Sequence, residues 1–547
     1  MLKKVAVLFA MAMALIPLMI HIVSASPQAA GCGLPGDLND DGRVDITDIM
    51  MVANCWRSTE PQCSPYDLDG DGDVDVVDIM LVAVHWGEEC PPSGPVPPFG
   101  VQMFGDINDA DARAKATEAG ILWVRLMASW DSSNIDGMVG NALSAGLEPI
   151  IVLCCSPSWA VEDTGVDCGP IDPGDLPTFA SHVQALVERY DGDADYDGDG
   201  IDDGPAMPEV KYWEFWNEPD QIAGADWVGG CWGGDRDSDG IPDSQEYVTM
   251  LSYAYPAVKA ANPEAYVLLG ALAWEDNQGL FNTSFLDEVL SYGGAQYFDY
   301  TNFHQYDFKR DDWDGWDNGQ AHNNDLPWRQ GILGKIAAAK EKVPDKPIVI
   351  SEVGLNRDLG EEKQARHLVH ELVRGMSLWP TDVESMIYFL LVDEASNPTG
   401  HFGLLEWGTL DPFPAYYAYQ TLTTELGDVD PSQQAYQLGP SETGSEYIQA
   451  YRFTMQDGGK KLVLWTDDGR RIKDASDLHI NMAIGEAQLG ESWTGKLRLR
   501  VVDSTSYPTP IVTIIEDGDP EDLDGNGSNN SITLEITQDP IYVELAP

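Results

Sequence analysis

The chain has 547 residues, 43% of them hydrophobic and 10% aromatic, which is enough for several packed cores and predicts more than one domain. Its 91 acidic and 31 basic side chains leave a formal charge of −60, which excludes nucleic acid and an anionic membrane surface as partners because both would repel it. Much of the acid is concentrated in runs such as Asp67-Leu-Asp-Gly-Asp-Gly-Asp73, the composition of calcium loops; a salt-adapted surface would also account for excess acid.

At the N-terminus, Lys3 and Lys4 precede an apolar run from Val5 to Ile20, and Val23-Ser24-Ala25 offers a small-residue cleavage site. Residues 1–25 are expected to be an export signal, with a retained anchor as the alternative, and the mature chain to be secreted, not membrane-embedded, or tethered at the cell surface. Eight cysteines suit an oxidising compartment. They form two even groups, Cys32, Cys55, Cys63 and Cys90, then Cys154, Cys155, Cys168 and Cys231. Disulfides are expected within each group, and the three pairings each allows stay open.

Residues 31–90 hold a tandem repeat. Asp37-Leu-Asn-Asp-Asp-Gly-Arg-Val-Asp-Ile-Thr-Asp48 recurs thirty residues later as Asp67-Leu-Asp-Gly-Asp-Gly-Asp-Val-Asp-Val-Val-Asp78, and each copy leads into an apolar helix. Hard oxygen ligands fall at loop positions 1, 3, 5, 9 and 12, namely Asp37, Asn39, Asp41, Asp45 and Asp48, then Asp67, Asp69, Asp71, Asp75 and Asp78. Gly42 and Gly72 sit at position 6, where the loop turns sharply. This double loop with its helices resembles a type I dockerin over residues 37–87. The resemblance implies a calcium-loaded module that binds a cohesin-type domain, with Ile46, Thr47, Val76 and Val77 at the recognition positions. Residues 91–98, Pro-Pro-Ser-Gly-Pro-Val-Pro-Pro, predict a semi-rigid linker.

From Phe99 to residue 426, short apolar strands alternate with amphipathic helices. Strands are expected at 99–104, 121–127, 147–154, 209–216, 265–272, 298–303, 346–351 and 384–391, with helices at 176–190, 247–261, 328–342 and 363–378 between them. Eight such units predict an α/β fold, a parallel (β/α)₈ TIM barrel, whose functional residues end the strands. Strand four ends Tyr212-Trp-Glu-Phe-Trp-Asn217-Glu218-Pro219, and strand seven ends Ile348-Val-Ile-Ser-Glu352. Two carboxylates at opposite strand ends are what glycoside hydrolysis requires, one to protonate the leaving oxygen and one to attack the anomeric carbon.

This constellation resembles glycoside hydrolase clan A, nearest in pattern to families 39 and 5. The resemblance implies a retaining β-glycoside hydrolase of polysaccharides or oligosaccharides, with Glu218 as acid/base and Glu352 as nucleophile. It also implies that Asn217 bonds the sugar 2-hydroxyl, and that Arg125, His304 and Tyr306 line the same subsite. Trp130 and Trp159 are candidates to stack on sugar rings. Clan members place a Trp at the end of strand eight; here Leu391 or Val392 stands at that place and Trp407 is the candidate substitute. On the residues alone, Arg125 could equally neutralise Glu214. The rival reading is a non-catalytic carbohydrate-binding or calcium-dependent scaffold protein.

Two Asp-rich insertions in the barrel predict further structural calcium. Asp235, Asp237, Asp239, Asp243 and Glu246 fill one loop, with Gly240 at the turn. Asp195, Asp197, Asp199 and Asp203 fill half of another. No cofactor is expected for catalysis. Residues 427–547 show period-two alternation at 447–454, 461–466, 496–502, 511–515, 532–536 and 541–544, which predicts an antiparallel, sandwich-like β-domain packed on the barrel.

Overall fold

The computed structural model describes residues 36, 38, 44, 46–57, 61–66, 68, 72, 74–85, 95–132, 135–161, 169–195, 198, 207–222, 232–235, 239–274, 280–307, 331–393, 401–467, 478–501 and 510–546. Several expectations fall outside them: the export signal, Cys32, Cys90, Cys168 and Cys231, the ligands Asp37, Asn39, Asp41, Asp45, Asp67, Asp69 and Asp71, and Asp197, Asp199, Asp203 and Asp237. No described helix is long and apolar enough to cross a membrane.

The chain divides into two compact units, residues 1–94 and 95–547. In the first, α1 (Ile46–Asn54) and α2 (Val76–Ala83) follow the two loops. Each loop is closed by the same bond: Leu38 N donates to Asp48 Oδ1 at 2.8 Å, and Leu68 N to Asp78 Oδ1 at 2.6 Å. Asp75 caps α2 by accepting from Val77 N, while Asp78 Oδ2 accepts from Asp75 N, the reciprocal box that satisfies orphan amides at a helix start. Val44, Val52, Val74 and Val82 fill a small core beside the Cys55–Cys63 disulfide. Four buried valines and one crosslink make a thin core, so bound cations would contribute to holding the module folded.

The second unit opens with the barrel. Its strands are β1 (Phe99–Gln102), β2 (Trp123–Ser129), β3 (Glu148–Cys154), β4 (Tyr212–Asn217), β5 (Tyr266–Ala271), β6 (Thr301–Asp307), β7 (Ile348–Leu355) and β8 (Val383–Tyr388). Every strand overlaps its expected segment. They pair in parallel in the order β5-β4-β3-β2-β1-β8-β7-β6, and single bridges Leu268↔Tyr300 and Leu272↔Phe303 join the two ends. The outer layer comprises α3 (Ala110–Glu118), α4 (Asp136–Ser144), α5 (Leu176–Arg189), α6 (Asp243–Ala261), α7 (Phe285–Ser291), α8 (Gly331–Lys342), α9 (Glu361–Met376) and α10 (Pro414–Leu426). On α9, Ala365, Leu368, Val369, Leu372, Val373 and Met376 recur at helical spacing and are buried on the sheet, which is why this stretch forms a helix despite its many charges.

Beyond the barrel, β9 (Tyr436–Gln437), β10 (Ile448–Thr454), β11 (Lys460–Thr466), β13 (Lys496–Val501), β14 (Ile511–Glu516) and β16 (Ile541–Leu545) form one antiparallel sheet. A second, two-stranded sheet pairs β12 (Ile480–Gly485) with β15 (Ser531–Ile536). Leu462, Leu464, Leu497 and Val543 share one core with Met482, Ile484, Ile532 and Leu534 of the second sheet, and the antiparallel expectation holds. Sequence alternation missed β9, which is two residues long, and β12, whose Asn481 and Gly485 dilute the pattern. The outer face of the larger sheet packs on the barrel: His370 of α9 stacks on Trp465 at 4.4 Å, Arg374 bonds Asp467 at 2.7 Å, and Lys461 bonds Glu425 of α10 at 2.6 Å.

Candidate active site

The barrel strands bring Arg125, Glu214, Asn217, His304, Tyr306 and Glu352 to one point, with Glu218 just past β4. Arg125 points inward from β2 and is fully buried. Its Nε and Nη2 donate to the two oxygens of Glu214 at 2.9 and 2.6 Å, a bidentate pair. Nη1 donates to Glu352 Oε1 at 2.7 Å and Gln102 Oε1 at 3.0 Å, and Nη2 to Asn217 Oδ1 at 2.7 Å. Arg125 therefore does both things weighed for it: it neutralises Glu214 and it reaches the nucleophile candidate. Holding Asn217 by its Oδ1 also fixes the amide's orientation, so that Nδ2 carries the donors.

Glu352 reaches the interior through an irregularity. Phe303 pairs with Ile350, but His304 pairs with Glu352, so Ser351 is an extra residue on β7. Val349 faces the barrel interior, and strict alternation would have pointed Ser351 inward and Glu352 outward. The bulge reverses that parity and re-aims Glu352 at Arg125 and Tyr306. Tyr306 Oη donates to Glu352 Oε2, and His304 Nδ1 lies 3.5 Å from the same oxygen.

Glu218 follows the last residue of β4 in left-handed backbone, φ 47°, with Trp216 at φ 78° two residues earlier. Such conformations are costly for non-glycine residues and collect at sites where the chain must aim a group. The Glu218 amide donates to Ala271 O at 2.8 Å, which anchors the turn to β5. Its side chain is 24% exposed at the barrel mouth, and Oε1 lies 3.0 Å from His304 Nδ1. His304 Nδ1 thus touches both glutamates, and the oxygens it joins are at most about 6.5 Å apart, the two contacts laid end to end.

Burial pushes the Glu218 carboxyl up to about 7, against the opposing pull of Arg125 and Lys335. The His304 imidazole is held down at about 4, by burial first, with Glu352 opposing and Arg125 assisting, so the ring is neutral at any pH near 7. Neighbouring Asp220, wholly buried, is also raised to about 7 by burial; its oxygens accept from Ala273 N at 3.1 Å and Trp274 N at 2.7 Å. One end of the cluster is an acid that keeps part of its proton near neutrality, and the other is a carboxyl group that accepts from a guanidinium and a phenol.

Glu218, Glu352, Asn217, Arg125, His304 and Tyr306 all converge. The aromatic expectations fare differently. Trp130 is 0% exposed, edge-packed between Phe179, His182 and Trp159, so it is a core residue with no face for a sugar. Trp159 is 53% exposed after β3, and Trp407 stands exposed after β8. The place given to Leu391 or Val392 also needs correction. Strand β8 ends at Tyr388, and the next residue, Phe389, brings the aromatic ring: it packs on Tyr306 at 6.0 Å and on Phe402 at 5.8 Å, while Leu391 and Val392 are buried. Gln102, Asp220, Phe389 and Lys335 were not anticipated. Gln102 was findable, as a lone amide ending a buried strand.

Comparison with known proteins divides the chain where its structure does. Residues 35–85 match the family model of the dockerin type I domain. The first unit is therefore a dockerin domain, and dockerin type I domains are calcium-binding. Its described carboxylates fit that cation: Asp48 and Asp78 are fully buried at equivalent positions of two acidic loops, where a bound cation would compensate their charge. No curated protein sequence matches the chain. Among solved structures, a family 39 glycoside hydrolase from Bacteroides cellulosilyticus WH2 superposes with TM-score 0.57 at 16% identity, covering 84% of each chain. A glucosidase from Croceicoccus marinus gives 0.51 at 14% identity, covering 84% of this chain and 98% of that one. A family 51 α-L-arabinofuranosidase from Bifidobacterium longum gives 0.51 at 15% identity with the same coverage. At these identities the likeness shows a shared (β/α)₈ barrel fold.

In the barrel loops, Asp243 is buried at the start of α6 and Glu246 lies in that helix's first turn, while Asp235 and Asp239 are exposed. Asp195 Oδ1 accepts from Gly198 N at 2.9 Å. Among the described residues no three acidic or imidazole groups converge as a metal cluster. The sulfurs of Cys154 and Cys155 are bonded to each other.

Proposed function

We propose that the chain is a secreted, retaining β-glycoside hydrolase acting on a polysaccharide or oligosaccharide and tethered through its dockerin domain to a cohesin-type partner. The supporting observation is His304 Nδ1 touching both Glu218 and Glu352, which holds their nearest oxygens within about 6.5 Å. A histidine bridging both carboxyls is compatible with the roughly 5–5.5 Å spacing of retaining enzymes, against about 6.5–9.5 Å for inverting ones. Glu218, raised to about 7 by burial, carries the proton that the leaving oxygen takes. Glu352, accepting from Arg125 and Tyr306, attacks the anomeric carbon, and the glycosyl ester that forms is cleaved by water activated by the deprotonated Glu218. Asn217, held by Arg125, is placed to donate to the sugar 2-hydroxyl.

A panel of 4-nitrophenyl β-glycosides and polysaccharides tests the activity, and proton NMR of the first anomer released tests retention. Initial release of the inverted anomer would overturn the double displacement. Glu218→Ala should slow poor leaving groups most and be rescued in part by azide; equal losses for all leaving groups would count against Glu218 as the acid/base. Calcium is structural in this reading, held in the dockerin domain by Asp48, Asp75, Asp78 and their loop partners, and in the barrel by Asp235, Asp239, Asp243 and Glu246. Val76 and Val77 are exposed at the start of α2, where a partner can reach them. Binding of the full chain to a cohesin-type domain should vanish on chelation. It should vanish as well when Val76 and Val77 are made acidic, with calcium affinity unchanged.

A further inference from the structure

Lys335 lies on α8, the crossover from β6 to β7, in the sequence Gly334-Lys335-Ile336. Its position on an outer helix suggests a surface lysine, yet it is 1% exposed. Burying an ammonium group costs several kcal/mol unless bonds compensate it. Here Nζ donates to His304 O at 2.7 Å and to Ala273 O at 3.1 Å. Those two carbonyls belong to different segments, one to β6 and one to the chain just past β5.

The two bonds complete a closed circuit around Glu218. The Asp220 carboxylate, two residues beyond Glu218, holds the amides of Ala273 and Trp274 at 3.1 and 2.7 Å. Lys335 holds the carbonyl of Ala273 and passes to that of His304. The His304 amide returns to Leu272 O at 2.8 Å, and its ring returns to Glu218 at 3.0 Å. His304 also stands opposite Glu352 at the point where the β6–β7 register shifts, so its backbone is the place where the ladder alone holds the imidazole least firmly.

We propose that Lys335 is a positioning residue of the active site: its ammonium group ties the carbonyls of Ala273 and His304 and so fixes His304 between Glu218 and Glu352. The role assumes the hydrolase reading of the two glutamates. Besides holding geometry, the buried positive charge acts on the acid/base. Arg125 of β2, Lys335 of α8, His304 of β6, Asp220 of the β4 loop and Glu352 of β7 surround Glu218, and the two cations both pull its carboxyl down. Removing one of them leaves burial less opposed.

The test follows two readouts in the full chain. Carboxyl carbon NMR, assigned with Glu218→Gln, gives the titration midpoint of Glu218 without substrate; kcat and KM against pH on a 4-nitrophenyl β-glycoside give the kinetics. In Lys335→Met the Glu218 midpoint rises above that of the parent and the alkaline limb of kcat/KM moves up with it. In the same variant kcat falls about 10- to 100-fold, the scale of a small misplacement of a catalytic group, with KM changed less than about threefold. Lys335→Arg, which keeps charge and donors, restores the midpoint and most of kcat. A Lys335→Met protein with an unmoved midpoint and alkaline limb would overturn the proposal, whatever its melting temperature, because a lysine that only stabilises the helix shifts neither. If that variant does not fold, Lys335→Gln, which loses the charge but keeps a donor, carries the same comparison. Absence of turnover by the parent chain on every glycoside would sink the hydrolase reading, while the carboxyl titration would still decide the role of Lys335.

Discussion

At the C-terminal mouth of the barrel, buried carboxylates are met by cations: Glu214 and Glu352 share Arg125, and Glu218 feels both Arg125 and Lys335. At the N-terminal end, Glu148 and Glu384 sit beside a plug of packed rings, Trp123, Tyr212, Tyr266 and Tyr300, with ring centroids 4.9 to 5.9 Å apart. There Glu384 accepts from Tyr212 Oη at 3.1 Å, and burial raises Glu148 to about 6 with Lys211 opposing. Both ends bury acid. The mouth orients it with buried cations, shared histidine contacts and left-handed backbone, and under the proposed hydrolase reading that separates a group that reacts from a group that closes a barrel.

The sharpest way to break this comparison is to remove one acid from each end. Glu352→Gln should lower kcat on the order of 10⁴-fold or more, since no other group can form the glycosyl ester. Glu384→Gln should leave kcat within about twofold. Steady-state kinetics on one glycoside substrate measures both, and a comparable loss from Glu384→Gln would erase the functional distinction between the two ends.

How far that distinction was legible in the sequence depends on what carried each signal. The eight strands were legible because apolar runs and helical spacing recur with little interruption, and Glu218 because its neighbours and strand position are constrained together. Glu352 was expected to end strand seven, but β7 runs on to Leu355, and the inward orientation of Glu352 rests on the Ser351 bulge, which alternation does not encode. Trp130 was misjudged because it follows the last residue of β2, where period-two parity no longer applies, and tertiary packing turned it into the core. Lys335 left no signal at all. A lysine on an amphipathic helix is ordinarily solvated, and only the meeting of β5, β6 and α8 in space makes it buried.

The next expected effect concerns stability. Arg125→Met leaves Glu214 and Glu352 buried without their shared cation, a change that costs about 3–5 kcal/mol when one partner of a buried pair is removed. Tyr212→Phe at the other end removes one hydrogen bond to Glu384 and should cost about 1 kcal/mol. Urea unfolding of the barrel at pH 7 should separate the two clearly, and equal losses would mean that Arg125 is no more than a packing residue.

The last expected effect has the opposite sign and depends on pH. The Glu218 carboxyl is raised by burial from its ordinary 4.5 to about 7 in the folded chain. Below about 4.5 it is protonated both folded and unfolded, and it contributes nothing to the pH dependence of stability. Between about 4.5 and 7 the unfolded chain ionises it while the folded chain keeps the proton, so stability falls as pH rises; above 7 the loss is complete and constant. Asp220, also raised to about 7 by burial, falls in the same window. Glu218→Gln removes this penalty by replacing the acid with a neutral amide of the same shape. The variant should be inactive on substrates with poor leaving groups. It should also be more stable than the parent by about 1–3 kcal/mol at pH 8, with the gain shrinking to nothing near pH 4. Melting curves of the two proteins across that range measure it. A gain independent of pH would mean that the amide simply packs better, and a loss at pH 8 would mean that Arg125 and Lys335 stabilise an ionised Glu218 more than burial penalises it.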